Sequence, residues 1–340
     1  MAKIAVVVGN GLSKSFGLFT GLDEMYNTSE PLNWDVKSPS TKKLLLDDFP
    51  LLWKLYVRNY EKTSFKIFEL CLSEKECRSL NLDCSNVKIE ARHYLTISFS
   101  HYSNLIIEHF SKEWPWFKWF KMHRADILAA YSLNYDTLLE TILDNVEVKY
   151  HSSQFNCDKK GIPLLKPHGS VDFDSKMTYI STPHKLTYPL QNWVDLNDAA
   201  IIRVDRAELL NQRKQAHCIL PNEANKYSGF CWVEDSHRHF YDATRAIDYC
   251  LFIGISYMEC DREDIRKILD KIPMQCVIII ANISPPPPEF IADIKGRPYI
   301  IWNNINGPVD ENDELLSLDK LSSNLDSTRC LCGSNMLGKY

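Results

Sequence analysis

Ile4-Ala5-Val6-Val7-Val8 is an apolar, largely β-branched run that stops at Gly9-Asn10-Gly11-Leu12-Ser13. Such a run reads as a buried parallel strand. A glycine pair directly behind it lets the backbone turn tightly and approach a phosphate, which the next N–H groups can meet. The pattern returns late in the chain, where residues 249–253 are apolar, Gly254-Ile255-Ser256 forms a turn, and 261–269 has helical character. Between and after these lie strand candidates at 127–133, 146–150, 162–165, 276–281 and 298–302, with a helix expected at 137–143. Pro163 weakens the third of these, because proline is confined to strand starts and edges. Strands alternating with helices predict an α/β fold, an open parallel sheet with helices on both faces. Ligands of such sheets sit beyond the carboxyl ends of the strands, where strand order reverses. The residues of interest all follow strand candidates: Gly9 to Ser13, Asn134, His168, Gly254 to Ser256, and Asn282.

The rest of the chain sets bounds. A domain over 1–305 is expected to carry a helical insertion at about 42–123 and a smaller insertion or lid at about 171–239. Within the first insertion, Leu95, Phe99, Tyr102, Ile106 and Phe110 recur at helical spacing over residues 91–110. The aromatic cluster at 114–120 suits either core packing or an exposed partner face. Pro285 to Pro288 argue against a regular element directly behind the strand at 276–281. Asp261 or a neighbour is placed to cap the helix it opens. The tail, 306–340, is polar and expected to be loosely ordered. A net charge of −5 argues against general binding of nucleic acid or membrane surfaces. The basic run Asn211-Gln212-Arg213-Lys214-Gln215 is too short to suggest a groove. No leader-like or membrane-length apolar run occurs, so a cytoplasmic protein is expected. The 11 cysteines are scattered, without a Cys-x-x-Cys pair, which suits free thiols and no structural zinc.

Each short motif has two readings. Gly9-Asn10-Gly11 and Gly254-Ile255-Ser256 are either structural turns or phosphate and ribose contacts. Asn134 and Asp136 either cap a helix or orient a water and contact a carboxamide. His168 lies between Pro167 and Gly169, in a tight turn with room for a ligand, and an imidazole can take a proton near neutrality. His237 and His239, near Cys231, Glu234 and Asp235, match no standard metal spacing. No Walker loop, His-Glu-x-x-His or nucleophile elbow is present.

In order, these motifs resemble the sirtuin-like family and its Rossmann-like nucleotide-binding fold, over about residues 4–303. Gly9-Asn10-Gly11-Leu12-Ser13 is similar to the family's Gly-Ala-Gly-hydrophobic-Ser turn, and Leu133-Asn134-Tyr135-Asp136 to its Gln-Asn-Ile-Asp. His168-Gly169 matches the catalytic His-Gly pair, Gly254-Ile255-Ser256 the later Gly-Thr-Ser turn, and Asn282 the following asparagine. The Pro-Asp-Phe-Arg stretch and four-cysteine zinc module of deacylating members are missing. The pattern thus looks more like the zinc-free bacterial sirtuin-like NAD hydrolases of anti-phage defence. The Gly-Asn-Gly opening is also similar to AbiH-type abortive-infection proteins.

The resemblance implies an NAD+ glycohydrolase that cuts the nicotinamide–ribose bond without a metal, with NAD+ as substrate. Asn134 would position the water and His168 act as base. Asp136 would contact the carboxamide. Gly9, Asn10, Gly11 and Ser13 would hold the pyrophosphate, with Gly254, Ser256 and Asn282 at the adenosine ribose. An enzyme that destroys NAD needs control, so a homo-oligomer or an activating protein partner is expected. A non-catalytic sensor of NAD or ADP-ribose, and an NAD-dependent protein deacylase, are the alternatives.

Overall fold

The computed structural model describes residues 2–22, 34–151, 160–176, 179–182, 201–221, 231–310, 312–318 and 330–331. Parts of the expected irregular stretch behind the first helix, of the 171–239 insertion and of the tail lie outside these residues. So do Cys157 and the side chains of Cys231, Asp235 and Cys330.

The sheet strands are β1 (Ile4–Val8), β2 (Ile127–Ser132), β3 (Tyr150–His151) and β4 (Ile162–Leu165). Short strands β5 (Phe173–Ser175), β6 (Ser181–Thr182), β7 (Ile201–Arg203) and β8 (Gln212–Arg213) follow, then β9 (Tyr249–Ile253), β10 (Val277–Ala281), β11 (Tyr299–Trp302) and β12 (Cys330–Leu331). Eight of them form one sheet in the order β12-β11-β10-β9-β1-β2-β4-β3. Every pairing within it is parallel. The chain leaves β1 toward β2, then returns to the other side of β1 at β9. The order therefore reverses between β1 and β9, as an open α/β sheet requires for a ligand crevice.

The helices are α1 (Asn10–Thr20), α2 (Pro50–Asn59), α3 (Ser64–Leu70), α4 (Glu74–Ser79), α5 (Cys84–Glu108), α6 (Pro115–Met122), α7 (Leu138–Asn145), α8 (Cys231–Thr244), α9 (Glu259–Lys271) and α10 (Pro288–Asp293). Strand alternation divides them into two layers. Ile4, Val6 and Val8 face a core with Leu12 and Phe16 of α1, Trp119 of α6 and Leu138 of α7. Ala5 and Val7 face the other core, with Phe240 of α8, Ile265 and Ile268 of α9, and Phe290 of α10. Helices thus cover both faces of the parallel sheet.

Several local expectations need revision. Pairing begins at Tyr150 rather than near residue 146, because Val146 closes α7 and Glu147 adopts φ +61°. The helix over 91–110 is longer and is not a one-faced surface helix. Its Arg92, His93, Thr96, Ser98, Ser100 and Ser103 are buried together with its apolar residues. It is enclosed because it packs on α2 and α4 within its own insertion, on α7 of the main body and on β8 of the smaller insertion. The cluster at 114–120 is core: Trp114 and Trp119 are fully buried, and Trp116 lies 6.3 Å from the Trp302 ring on β11. Pro288 opens α10 at its first turn, where the missing N–H costs nothing. No side chain caps α9, whose N-cap is Met258. The front of the tail is ordered by burial, with Leu318 enclosed and Leu315 and Leu316 packed on the first core.

The described parts of 171–221 form two antiparallel pairs, β5 with β7 and β6 with β8. Helix α8 lies against β2 and β4 of the main sheet. Among the described residues, no helix is long and apolar enough to cross a membrane.

Candidate functional site

Two glycine turns meet at the switch point. Gly9 N–H donates to Ile253 O and Gly11 N–H to Gly254 O, both at 2.9 Å. A Cβ on Gly11 would stand 2.4 Å from Gly254 Cα, and one on Gly254 would stand 2.4 Å from Leu12 N. Gly254 also has φ +65°, a left-handed value that L side chains rarely adopt. Both turns are therefore held backbone to backbone at the carboxyl ends of β1 and β9. The glycines at 11 and 254 serve that contact before any ligand is considered.

The loop behind β2 is tied to this turn. Asn134 Nδ2 donates to Gly9 O at 3.0 Å and to Ser13 Oγ at 3.2 Å. That leaves Oδ1 as the amide atom able to address a ligand. Ser13 Oγ donates to Asp136 Oδ2 at 2.8 Å, and Asp136 Oδ1 accepts from Leu138 N at 2.9 Å. Asp136 is thus anchored by protein donors on both oxygens. Burial pushes its carboxyl above the usual range, opposed by the Lys166 charge and these hydrogen bonds. Lys166 is fully buried, and its Nζ donates to Asp136 O at 2.6 Å, Ser170 Oγ at 2.8 Å and Glu140 Oε1 at 2.9 Å. A buried charge survives only with such pairing.

His168 follows β4. Gly169 takes φ +78° behind it, and a Cβ there would overlap His217 O. The imidazole Nδ1 lies 3.2 Å from Leu133 O, and Nε2 lies 3.2 Å from Asp264 Oδ2 on α9. Both ring nitrogens face acceptors, an arrangement that favours the doubly protonated ring, which can donate to both. Asp261, one helical turn earlier on α9, adds a second carboxylate 3.9 Å from Nδ1. Burial disfavours the His168 charge, but the Asp264 hydrogen bond and charge, with Asp261, outweigh it and hold the proton above the ordinary imidazole range. Asp264 is held below the carboxylate range: His168 outweighs its burial. Burial pushes Asp261 the other way, above that range, although His168 partly opposes it.

A cleft of about 530 Å³ opens above these groups. Gly9, Asn10, Gly11, Asn134, Asp136, His168, Gly254, Ser256 and Asn282 line it. Ser13 does not; it is enclosed behind the wall, holding Asp136 and Asn134. Asn282 Nδ2 donates to Ile255 O at 2.5 Å and steadies the loop behind β9. The cleft also contains groups that sequence reasoning missed. Lys14 stands one turn into α1 and adds a cation to the positive end of that helix. Phe99 and Trp116 from the insertion, with Tyr135 and Trp302, give it aromatic walls. Asp264 was legible in principle, since it lies in phase with Ile268 on the buried stripe of α9. His237, considered above for a metal, faces Asp264 Oδ1 at 3.8 Å, while His239 packs beside His151. Among the described residues, no group of three or more metal-ligating side chains converges.

No family model matches the sequence, and no curated protein matches it. Solved structures that match include a mutant Sir2 homologue in complex with 2'-O-acetyl ADP ribose, at 11% identity, covering 96% of this chain and 94% of that one, with TM-score 0.38. A Sir2 homologue mutant with ADP ribose matches at 10% identity over 90% and 88% of the two chains, with TM-score 0.35. A Sir2 complex with a p53 peptide and NAD+ matches at 11% identity over 89% and 88%, with TM-score 0.29.

Proposed function

We propose that the cleft binds NAD+ and hydrolyses its nicotinamide–ribose bond. The observation that carries this reading is the convergence of the Asn134 amide and the His168 imidazole on one cleft beside the N-terminus of α1. A helix N-terminus with Lys14 suits a pyrophosphate. Ser256 and Asn282, across the switch point, suit the adenosine ribose. Asn134 Oδ1 accepts a hydrogen bond from the attacking water. Asp136 and Ser13 act through Asn134 by fixing its Nδ2 group.

The C1′–N bond breaks with its electron pair leaving on nicotinamide, which departs as a neutral ring. Water adds to the resulting oxocarbenium carbon, and the proton it loses passes to a base. His168 serves as that base once it has lost its own ring proton. The resting site holds that proton on, so turnover rises as pH rises through the His168 value, which lies above the ordinary 6.5. In a cell the enzyme would consume NAD, in line with the defence proteins it resembles, and would need an activating oligomer or partner.

The experiment is nicotinamide release from NAD+ by the full chain, across protein concentrations and pH. His168→Ala and Asn134→Ala are each expected to lower release by about 10²- to 10⁴-fold, measured on variants shown to be folded at the assay temperature, since each also loses buried contacts. Wild-type turnover in either folded variant overturns the assignment. The imidazolium favours one rival, a sensor that holds NAD+ intact. Saturable NAD+ binding without nicotinamide at any pH would establish it.

A further inference from the structure

Helices α8 and α9 enclose a second groove of about 520 Å³ that shares no lining residue with the cleft. Four cations line it, Arg238 from α8, Arg245 just past its end, and Lys267 and Lys271 from α9, against Glu234 and Asp242. Arg245 pairs with Asp242 three residues earlier, and Lys267 with Glu263 within α9. Such exposed pairs are weak, so both cations can turn to a competing anion. The Tyr241 ring stacks on His237 at 5.6 Å.

His237 connects this groove to the cleft. Its Nε2 lies 3.8 Å from Asp264 Oδ1, and the other oxygen of that carboxylate is 3.2 Å from His168 Nε2. One carboxylate therefore serves two imidazoles, one per cavity. The charged and titratable groups facing His237 are Glu234, Arg238 and Tyr241 on α8, Asp264, Lys267 and Lys271 on α9, Tyr131 on β2, and His168. His237 is neutral at rest: burial and the cations Lys267 and His168 outweigh the attraction of Asp264 and hold its proton below the ordinary imidazole range. Its Nε2 then accepts from Tyr131 Oη at 3.4 Å.

We propose that this groove binds a small phosphate-bearing anion, and that its occupancy transfers the resting proton from His168 to His237 about their shared Asp264. An anion beside Lys267 and Lys271 offsets the Lys267 repulsion that adds to burial in disfavouring the His237 charge, and brings a negative charge toward the ring. His237 takes a proton from water, and its Nε2–H turns from Tyr131 to Asp264 Oδ1. The new cation competes for the Asp264 charge, so His168 releases its proton to water. The proton count of the pair is unchanged, while His168 becomes a neutral base. This deepens the reading of His168 as the base of the cleft and makes the groove its switch.

The test follows the two histidine rings by NMR in the histidine-labelled full chain at pH 7, with inorganic pyrophosphate as probe and without NAD+. His237→Gln and His168→Gln assign the signals. A saturable titration is expected, in which the His237 ring moves toward imidazolium shifts and the His168 ring moves away from them. The charge-reversed pair Arg245→Glu/Lys271→Glu, with Lys271→Gln as a milder second variant, is expected to weaken the apparent affinity by about tenfold or more. Its melting and its His168 signal without pyrophosphate should match wild type. No movement of either ring, movement of both in one sense, or unchanged affinity in the groove variants overturns the proposal. The last result would place the anion in the cleft. No NAD turnover is read, so failure here is distinct from failure of the hydrolase reading.

Discussion

Asp264→Asn removes the charge behind His168 while keeping the side chain's shape. Both partners are nearly enclosed, each with 9% of its side chain exposed. Cutting a buried ion pair from one side costs about 3–5 kcal/mol. Asparagine retains a hydrogen-bonding group and His168 can shed its proton, so the low end, about 3 kcal/mol, applies near pH 5.5. The sign of the pH dependence follows from both groups. His168 is raised in the folded protein, so its share of stability is complete below the unfolded value of about 6.5 and fades as pH rises through the folded one. Asp264 is lowered, so its share is complete above about 3.9 and fades as pH falls through its folded value. The pair therefore contributes fully between about pH 4 and 6.5. Above the His168 value the wild type also carries a neutral ring, and the difference shrinks to about 1 kcal/mol, that of one hydrogen bond. Urea unfolding at pH 5.5 and pH 9 reads both values from the midpoint shift at constant slope. A variant as stable as wild type at pH 5.5 refutes the imidazolium.

Two further perturbations probe what holds the cleft in shape. Gly254→Ala combines a left-handed cost of about 1–2 kcal/mol with a backbone displacement, because its Cβ would lie 2.4 Å from Gly11 Cα. It should lower stability well beyond Gly21→Ala, a site with φ +74° and open space around it; equal melting losses would deny the turn-on-turn contact. Lys166→Met leaves Glu140 unpaired and should cost about 3–5 kcal/mol, whereas Lys166→Met/Glu140→Leu should recover most of it. A double variant no more stable than the single one, by chemical denaturation, would show that the pair is not the issue.

The sheet was largely legible because its strands are buried on both faces and therefore read as unbroken apolar runs. Val277–Ala281 and Tyr249–Ile253 are such segments, and each ends at a turn that lines the cleft. The candidate site was legible for the same reason: residues that follow parallel strands share one edge of the sheet. Less legible was the direction in which each side chain points. Ser13 looks like a ligand contact in the sequence, but it lies behind the cleft wall, where its hydroxyl holds the carboxylate of the cleft-lining Asp136. Asp264 could not be paired with His168 from sequence, because 96 residues separate them and only the tertiary fold brings α9 beside the turn after β4. The enclosure of α5 was hidden by its composition. Its His93, Ser98, Ser100 and Ser103 resemble a solvated face, whereas packing on two sides buries them.

The helical insertion is usually the part of such a fold read as an accessory, yet here it is continuous with the site. Tyr102 Oη on α5 donates to Ser13 O at 2.8 Å, and Ser103 Oγ on the same helix accepts from Thr137 N at 3.2 Å. Two adjacent residues of one helix thus hold the turn behind β1 and the loop behind β2, the two segments that Asn134 joins through Gly9 and Ser13. Phe99, one turn earlier, packs on Tyr135 at 5.3 Å and lines the cleft. A rigid helix that grips both loops cannot shift without changing the distance between the Asn134 amide and the glycine turn. Packed interiors respond to such shifts by switching between discrete arrangements rather than by yielding gradually. An activating contact on the outer face of the insertion, were one to form, would therefore have a direct mechanical route to the Asn134 amide proposed to position the water, separate from the proposed route through Asp264 to His168.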